Sequence, residues 1–592
     1  MENFAYKMKY HWAAVAIALI LGALMVLPFF YFQEKLGADF TGIWPEVVDD
    51  QSFYWARAKD VMDGHPFLSN AYLAEHKEGL PQQLFLAEYL LAQPIKLLGI
   101  SVQSGQLAYN FILPLIAFLL TYAALYLISK SRILSAIAAI FLFFGLYLMA
   151  FIRPISPQFN FIFWLTQFIL LWLLINPHNN SNLQIYSNST NKIRSIRVFI
   201  RRFGLLGANA LNFGLLFYIY PYYWTFYLIL FGLLAAVYFI YERQLSYKIM
   251  SIVGGGLLLA IPYFYFNYLA SQLPYYFETL TRLGMIYTRF PSGVRTVLVS
   301  VVGLAILAAL IYRKIINADA KTIFFGAGFL TSIIAVNQHL LTGKNFEFSS
   351  HYDIGAMFFL VFALAYLIGN YLKKLPNTTI HRCIVVFIVL ILGAAASYGL
   401  FSYSRSVFAI NENAVYQQNY SPILKWLNEN TPEDSVVYAN TDLSRLIPVY
   451  TANNVFYVRE ANLFFISDEE VLDRFILNNF FEKFNENFVT ENVRSIYGTR
   501  YINAYGHAVQ GNKLRRLLSF KPEPEIYLPE DAIQKVMTRA KESQNGNFAE
   551  EIKNYRADYL IWDKNKNLEW KIGKNNFDLV FQTTDVLIYK IR

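Results

Sequence analysis

The sequence predicts an α-helical, multi-spanning membrane protein of about eleven transmembrane helices followed by a C-terminal extracytoplasmic α/β domain. Three observations predict it. Of 592 residues, 56% are hydrophobic and only 15% charged, with 52 Phe and 43 Tyr; soluble globular chains do not have this composition. Mean hydropathy is +0.33, and apolar runs long enough to cross a bilayer recur as far as residue 403. After residue 404 those runs stop, and short β-branched and aromatic stretches alternate with helical patterns.

In chain order the spans fall at approximately 12–32, 104–129, 133–152, 158–175, 203–220, 222–241, 249–270, 294–312, 322–341, 352–372 and 383–403. The first follows Lys7 and Lys9, exceeds a typical signal-peptide core and lacks a small-residue cleavage site, so it reads as an uncleaved anchor. Pro-containing turns close two tight hairpins, at IRPISPQ (Ile152 to Gln158) and around Pro221. The chain divides into 1–404, the membrane domain with a large first external loop at 33–103, and 405–592. In the tail, SVVYAN, NVFYV, ADYLIWD and FDLVFQTTDVLIYKI read as strands, the last a hairpin around Thr583-Thr584-Asp585. Ser467 to Phe484 reads as a helix opened by a capping box of Ser467 and Glu470. The single cysteine, Cys383, excludes an internal disulfide.

Net charge is +9, and the basic residues mark topology and not a nucleic-acid footprint. With the N-terminus cytoplasmic, the inside segments carry about 17 Lys and Arg against roughly 10 in the longer outside loops. The stretch holding Lys192, Arg194, Arg197, Arg201 and Arg202 weighs most. This orientation puts the first loop, IRPISPQ, residues 271–293, TGKNFEFSSHYD (Thr342 to Asp353) and the tail on one extracytoplasmic face. The absence of cysteine pairs and organelle signals points to a bacterial or archaeal inner membrane.

Two adjacent carboxylates, Asp49 and Asp50, stand just after the first span, where ionised groups are costly. On a helix starting there, Asp50, Tyr54 and Arg57 share a face. Asp49 suits the cap, which accounts for one aspartate but not for both. The loop also holds Asp60, Asp63, His65, Asn70, Glu75, His76 and Lys77.

DDQSFYWARAKDVMDGHPF, followed by NAYLAEHKEGLPQQLFLAEYLL, resembles the first external loop of GT-C glycosyltransferases, the class of aminoarabinose transferases, protein O-mannosyltransferases and oligosaccharyltransferases. Asp50, Tyr54, Arg57 and Gly64 match the acidic, aromatic, Arg and Gly places. If Asp50 is the first acid, Gln51 takes the Glu place of the common Asp-Glu pair. If Asp49 is first, Asp50 takes that place and Phe53 is the aromatic, so the register stays open by one residue. The resemblance implies an inverting membrane transferase that takes a sugar from a polyprenyl-phosphate donor. The acceptor would be a glycan, lipid or protein outside the cytoplasm. It implies Asp50, with Asp49, as catalytic carboxylates, and a divalent cation (Mg or Mn) in some members, for which Asp49, Asp50 and His351 are the candidate ligands.

A leaving phosphate needs cations and hydrogen-bond donors. The external candidates are Tyr54, Arg57, His65, Arg153, Arg282, Arg289, Lys344, His351 and Tyr352, with Arg favoured for bidentate contact. The run Tyr218, Tyr220, Tyr222, Tyr223 and Trp224 reads as an interfacial belt or a sugar groove. Residues 271–293 read as a surface or re-entrant segment. Two other readings remain at this stage: a lipid-linked glycan flippase or transporter, which would want ionisable groups in mid-span, and a non-catalytic scaffold.

Overall fold

A computed structural model describes residues 10–82, 85–176, 191–346, 348–370, 379–572 and 576–592, with the backbone alone for 191–202, 348–350 and 379–389. Lys7 and Lys9, the basic side chains from Lys192 to Arg202, those from Lys373 to Arg382, and the Cys383 side chain lie outside the described residues.

Every apolar run forms helix. They are α1 (Trp12–Leu36), the first-loop helices α2 (Gln51–Asp63) and α3 (Leu86–Leu98), α4 (Val102–Ser129), α5 (Arg132–Ile140), α6 (Asn160–Ile175), α7 (Asn191–Ile219), α8 (Pro221–Tyr241), α9 (Arg243–Leu259) and α10 (Ile261–Ser271). After the short α11 (Tyr276–Arg282) come α12 (Val294–Tyr312), α13 (Ala320–Asn337), α14 (Phe348–Asn370) and α15 (Thr379–Val407). Among the described residues seven helices are long and apolar enough to cross a membrane, or eight if the pair α9 and α10 is one span. The chain is therefore a multi-pass membrane protein, and the expected eleven spans are a count of helical runs, not of established crossings. The runs at 133–152 and 203–220 give only shorter apolar helices, Arg132–Leu146 and Phe203–Ile219.

Two departures have local causes. The α9–α10 pair bends by 51°, where Pro262 opens α10 without an N–H to continue the ladder. The third run leaves α geometry at Ile140 for a π-turn, Phe141–Leu146. There α15 comes so close that a Cβ on Gly399 would stand 1.9 Å from the Phe144 carbonyl oxygen, so only glycine fits. The bundle interior is aromatic: Phe168 meets Phe324, Phe359 and Phe362 at centroid distances of 4.5 to 5.4 Å.

The C-terminal region is an α/β layer structure around a five-stranded sheet. Its elements are α16 (Ser421–Asn430), β1 (Val436–Tyr438), α17 (Thr441–Tyr450), β2 (Asn454–Val455), α18 (Asp468–Asn478), α19 (Arg500–Leu517), α20 (Glu530–Gln544), β3 (Tyr559–Asp563), β4 (Phe577–Gln582) and β5 (Val586–Ile591). The sheet order is β2-β1-β3-β5-β4. β2, β1 and β3 are parallel, and β3, β5 and β4 antiparallel. Each expected strand is present, and the terminal hairpin turns at 583–585. Side chains alternate between two cores, as strands require: Val437 faces one, Val436 and Tyr438 the other. The helix expected over 467–484 ends at Asn478. Only half of its capping box forms. Ser467 accepts from the Glu470 N–H at 3.1 Å, but the Glu470 carboxylate serves His76 at 3.0 Å and Arg474 at 2.8 Å.

The first loop belongs physically to this second region. Ile43, Phe53, Trp55, Ala56, Tyr72 and Leu73 are buried in one core with Leu443, Ile447 and Val455, and the Val455 N–H donates to the Tyr72 carbonyl at 2.9 Å. A second fastening comes from α11. Arg282, fully buried, pairs with Asp468 and donates to the Asn462 carbonyl at 3.1 Å. Asp468 also pairs with Arg500 at 2.6 Å. Arg282→Met should leave Asp468 with Arg500 alone and the Asn462 carbonyl without this donor, at a cost of about 3 kcal/mol. Hydrogen exchange is expected to rise in residues 276–290 and 459–500 while the bundle stays protected. Unchanged exchange there would show that Arg282 fastens nothing.

Candidate functional site

The site grows from the start of α2. The cap position is taken by Asp50, not Asp49, and Asp50 makes no side-chain cap bond there. Glu46 does that work: its Oε1 accepts from the Ser52 N–H at 3.0 Å, while Gln51 Oε1 accepts from Val47 N–H at 3.1 Å. The Ser52 N–H at the helix start is thus satisfied without either aspartate, so neither of their side chains is explained by capping. Asp50 also has a left-handed backbone, φ 71°, an uncommon conformation for a residue with a Cβ.

Each carboxylate faces its own cations. Asp50 Oδ2 is 3.1 Å from Arg153 Nη1, and Arg153 is steadied by Nε donating to the Ser156 carbonyl at 2.8 Å. Asp49 Oδ1 is 3.1 Å from Arg459 and 3.4 Å from Arg445, with Arg494 at 4.0 Å from Oδ2. Arg445 in turn holds Glu46 at 3.1 Å and Glu460 at 3.0 Å, and Arg459 shares Glu460 at 3.0 Å. Arg445 therefore ties three carboxylates together across the junction of first loop and C-terminal domain.

The two adjacent acids titrate apart. Burial pushes the Asp50 carboxyl above its ordinary value. Arg153 opposes this, and the Asp49 charge adds to it. Burial would raise Asp49 too, but Arg459 and Arg445 outweigh it and hold Asp49 below the usual range. Neighbouring groups driven in opposite directions are the arrangement in which one holds charge and the other handles a proton. Asp50 remains 43% exposed, so an incoming molecule has access to it.

A second set adjoins Arg153. Its electrostatic neighbours are Tyr54, Asp50 and Tyr220. The Tyr220 hydroxyl hydrogen-bonds His351 Nδ1 at 2.7 Å, and Tyr222 stacks on the His351 ring at 4.0 Å. The structure so links Asp49, Asp50, Tyr54, Arg153 and His351, with Tyr220 and Tyr222 of the aromatic run as connectors.

Other expected residues go elsewhere. Arg57 is buried, 2.9 Å from Glu88 and over the Phe53 ring, inside the protein and not on a phosphate-binding surface. His65 pairs with Asp434 at 3.3 Å, beyond the far end of α2, roughly 20 Å along the helix from Asp50. Lys344 lies over Phe277 and pairs in a short ladder with Tyr287. Tyr352 is buried in the bundle against Thr225. Arg289 caps the Leu340 and Leu341 carbonyls. The remaining polar residues of the first loop also have structural employment: Asp60 pairs with Lys77, and Glu75 and His76 reach Arg474 and Glu470.

Glu46, Arg445, Arg459 and Glu460 were not among the expected site residues. The expected cation ligands also fail to assemble. Among the described residues no three His, Cys, Asp or Glu side chains form a group able to hold a metal. The oxygens of Asp49 and Asp50 face guanidinium groups, and His351 Nδ1 faces Tyr220.

No protein-family signature and no curated protein matches the sequence. Among solved structures, the apo oligosaccharyltransferase of Archaeoglobus fulgidus superposes with a TM-score of 0.51 at 12% identity, over 94% of this chain and 70% of that one. Apo ArnT from Cupriavidus metallidurans matches with a TM-score of 0.45 at 12% identity, over 99% of this chain and 98% of that one. The fold is similar to that of this oligosaccharyltransferase; in this chain it is a bundle of membrane helices followed by a C-terminal sheet region.

Proposed function

We propose that the chain is an inverting membrane glycosyltransferase. It takes a sugar from a polyprenyl-phosphate donor and passes it to an acceptor on the extracytoplasmic face, where the first loop and C-terminal domain meet. The carrying observation is Asp50. It stands at a helix start that Glu46 caps for it, in a left-handed conformation, exposed, and beside a guanidinium. In this reading Asp50 accepts or orients the proton of the acceptor nucleophile. The nucleophile attacks the anomeric carbon from the face opposite the donor bond. The carbon–oxygen bond to phosphate breaks, and the phosphate leaves with the electron pair. Arg153 supports the phosphate: its Nη2 makes no hydrogen bond among the described residues, and Arg favours such anions. Asp49, neutralised by Arg445 and Arg459, fixes the loop and tunes its neighbour. His351, held by Tyr220, lines the same side. The likeness in fold to an oligosaccharyltransferase supports the reaction class.

The test is binding of undecaprenyl phosphate to the purified chain in nanodiscs. One charge-assisted hydrogen bond contributes about 1.5–3 kcal/mol, so Arg153→Met should weaken binding about 10- to 100-fold. A variant that bound the lipid phosphate as tightly as wild type would remove Arg153 from the site.

A further inference from the structure

The end of α19 presents Leu517 and Leu518, and just beyond it Phe520, at 79, 52 and 59% exposure. Lys513, Arg516 and Lys521 alternate with them and are exposed as well. This is not a frayed terminus. The chain after α19 is pinned back on the helix: the Asn512 amide donates to the Glu523 carbonyl at 2.9 Å and to the Glu525 carboxylate at 2.8 Å, and accepts from the Glu523 N–H at 2.8 Å. Arg515 pairs with Glu523. The fold therefore holds three large apolar side chains in the open, where a water-facing surface gains nothing from them.

The depth of this patch follows from what α19 is fastened to. Residues 271–293 link two membrane helices, α10 and α12. Arg500, at the start of α19, donates to Thr281 at 3.0 Å. Gly284, with φ +96°, lies so close to Asn503 that a Cβ would fall 2.1 Å from its amide nitrogen. Near the other end, the Arg515 guanidinium sits 3.8 Å over the Phe290 ring, and a Cβ on Gly511 would meet that ring at 3.3 Å. Phe290 stands four residues before Val294, where α12 begins. Val294, Leu298, Val301 and Val302 are exposed on α12, its lipid-facing side. A helix of roughly 27 Å is thus tied near both ends to the link that leads into α12. Its last turn is two residues from the Phe290 contact.

We propose that Leu517, Leu518 and Phe520 insert into the head-group layer of the leaflet on this side, with Lys513, Arg516 and Lys521 against lipid phosphates, so that the C-terminal domain carries its own lipid anchor. The occupant is the bilayer because the patch lies two residues beyond the Arg515–Phe290 contact, and Phe290 stands four residues before the exposed apolar face of α12. Its composition, apolar residues flanked by long basic side chains, is that of interfacial segments. The inference does not depend on the reaction proposed above.

The test places a nitroxide at Leu518→Cys in the full chain, with Cys383→Ser, in nanodiscs of phosphatidylcholine and phosphatidylglycerol holding one chain each. Labels at Val294→Cys and Lys541→Cys calibrate lipid and water. Position 518 is expected to be open to oxygen and shielded from a water-soluble nickel chelate, as at 294. Adding Leu517→Ser and Phe520→Ser should restore nickel access. Access at 518 equal to that at 541 overturns the proposal. So does shielding that survives the two serine substitutions, or that arises only with two chains per disc, which would assign the patch to a second copy.

Discussion

Asp50→Asn is expected to lower the rate of sugar transfer by about 10²- to 10⁴-fold, the span of a lost proton-handling group, while leaving the fold and donor binding nearly intact. The fold should survive because the Asp50 side chain caps nothing: Glu46 accepts from the Ser52 N–H at the start of α2. Asparagine also tolerates the left-handed backbone that Asp50 adopts. The pH profile sharpens the test. Only the deprotonated carboxyl can accept a proton, and burial raises the Asp50 pKa, so activity should fall with decreasing pH at a value above that of an ordinary aspartate. Asp49 contributes to that elevation and Arg153 opposes it. Asp49→Asn should therefore move the acid limb to lower pH, and Arg153→Met to higher pH. Transfer by Asp50→Asn at the wild-type rate, in protein with an unchanged melting profile, would end the catalytic assignment. Two limbs moving in the same direction would end the electrostatic account of it.

How far the sequence carries is visible at particular residues. The apolar runs were legible because hydropathy alone marks a helix that must satisfy its backbone in lipid. The strands were legible because β-branched and aromatic residues cluster between turn residues, as around Val436 and Tyr559. The bend has a local mark in Pro262, whereas the π-turn at Phe141 was not legible, since it goes with the close approach of α15. The double acid was found because carboxylates at a membrane edge are conspicuous. Which of the external cations meets it was not legible. Arg153 and Arg282 both sit in loops on one face, yet one reaches Asp50 and the other is buried against Asp468. Arg445 and Arg459 lie about 400 residues from Asp49, and no local spacing rule spans such a distance. Arg57 misled for the converse reason. Its helical register with Asp50 holds, but a register cannot tell a solvent-facing guanidinium from one buried on Glu88.

Arg445→Met is the substitution expected to hurt both structure and transfer. Arg445 is the shared partner of Glu46, Asp49 and Glu460, and the three charges raise its own pKa although burial works the other way. Methionine fills the volume but leaves Glu460, 3% exposed, with Arg459 alone. It also frees the Glu46 oxygen that steadies the capping arm of α2, and it deprives Asp49 of one of the two cations that hold its pKa down. Removing one partner from a buried charge cluster costs about 3–5 kcal/mol. The remaining Arg459 contact places this case toward the lower end. The expected result is a lower unfolding temperature of the C-terminal region, faster hydrogen exchange in residues 43–56 and 443–462, and a loss of transfer. Arg445→Lys should recover only part, because a point charge cannot reach three carboxylates as a planar fork does. Arg494→Met, an exposed contact at 4.0 Å, should change little. If Arg445→Met and Arg494→Met behaved alike, the cluster would be a surface arrangement of charges and not the device that joins the C-terminal domain to the acidic loop.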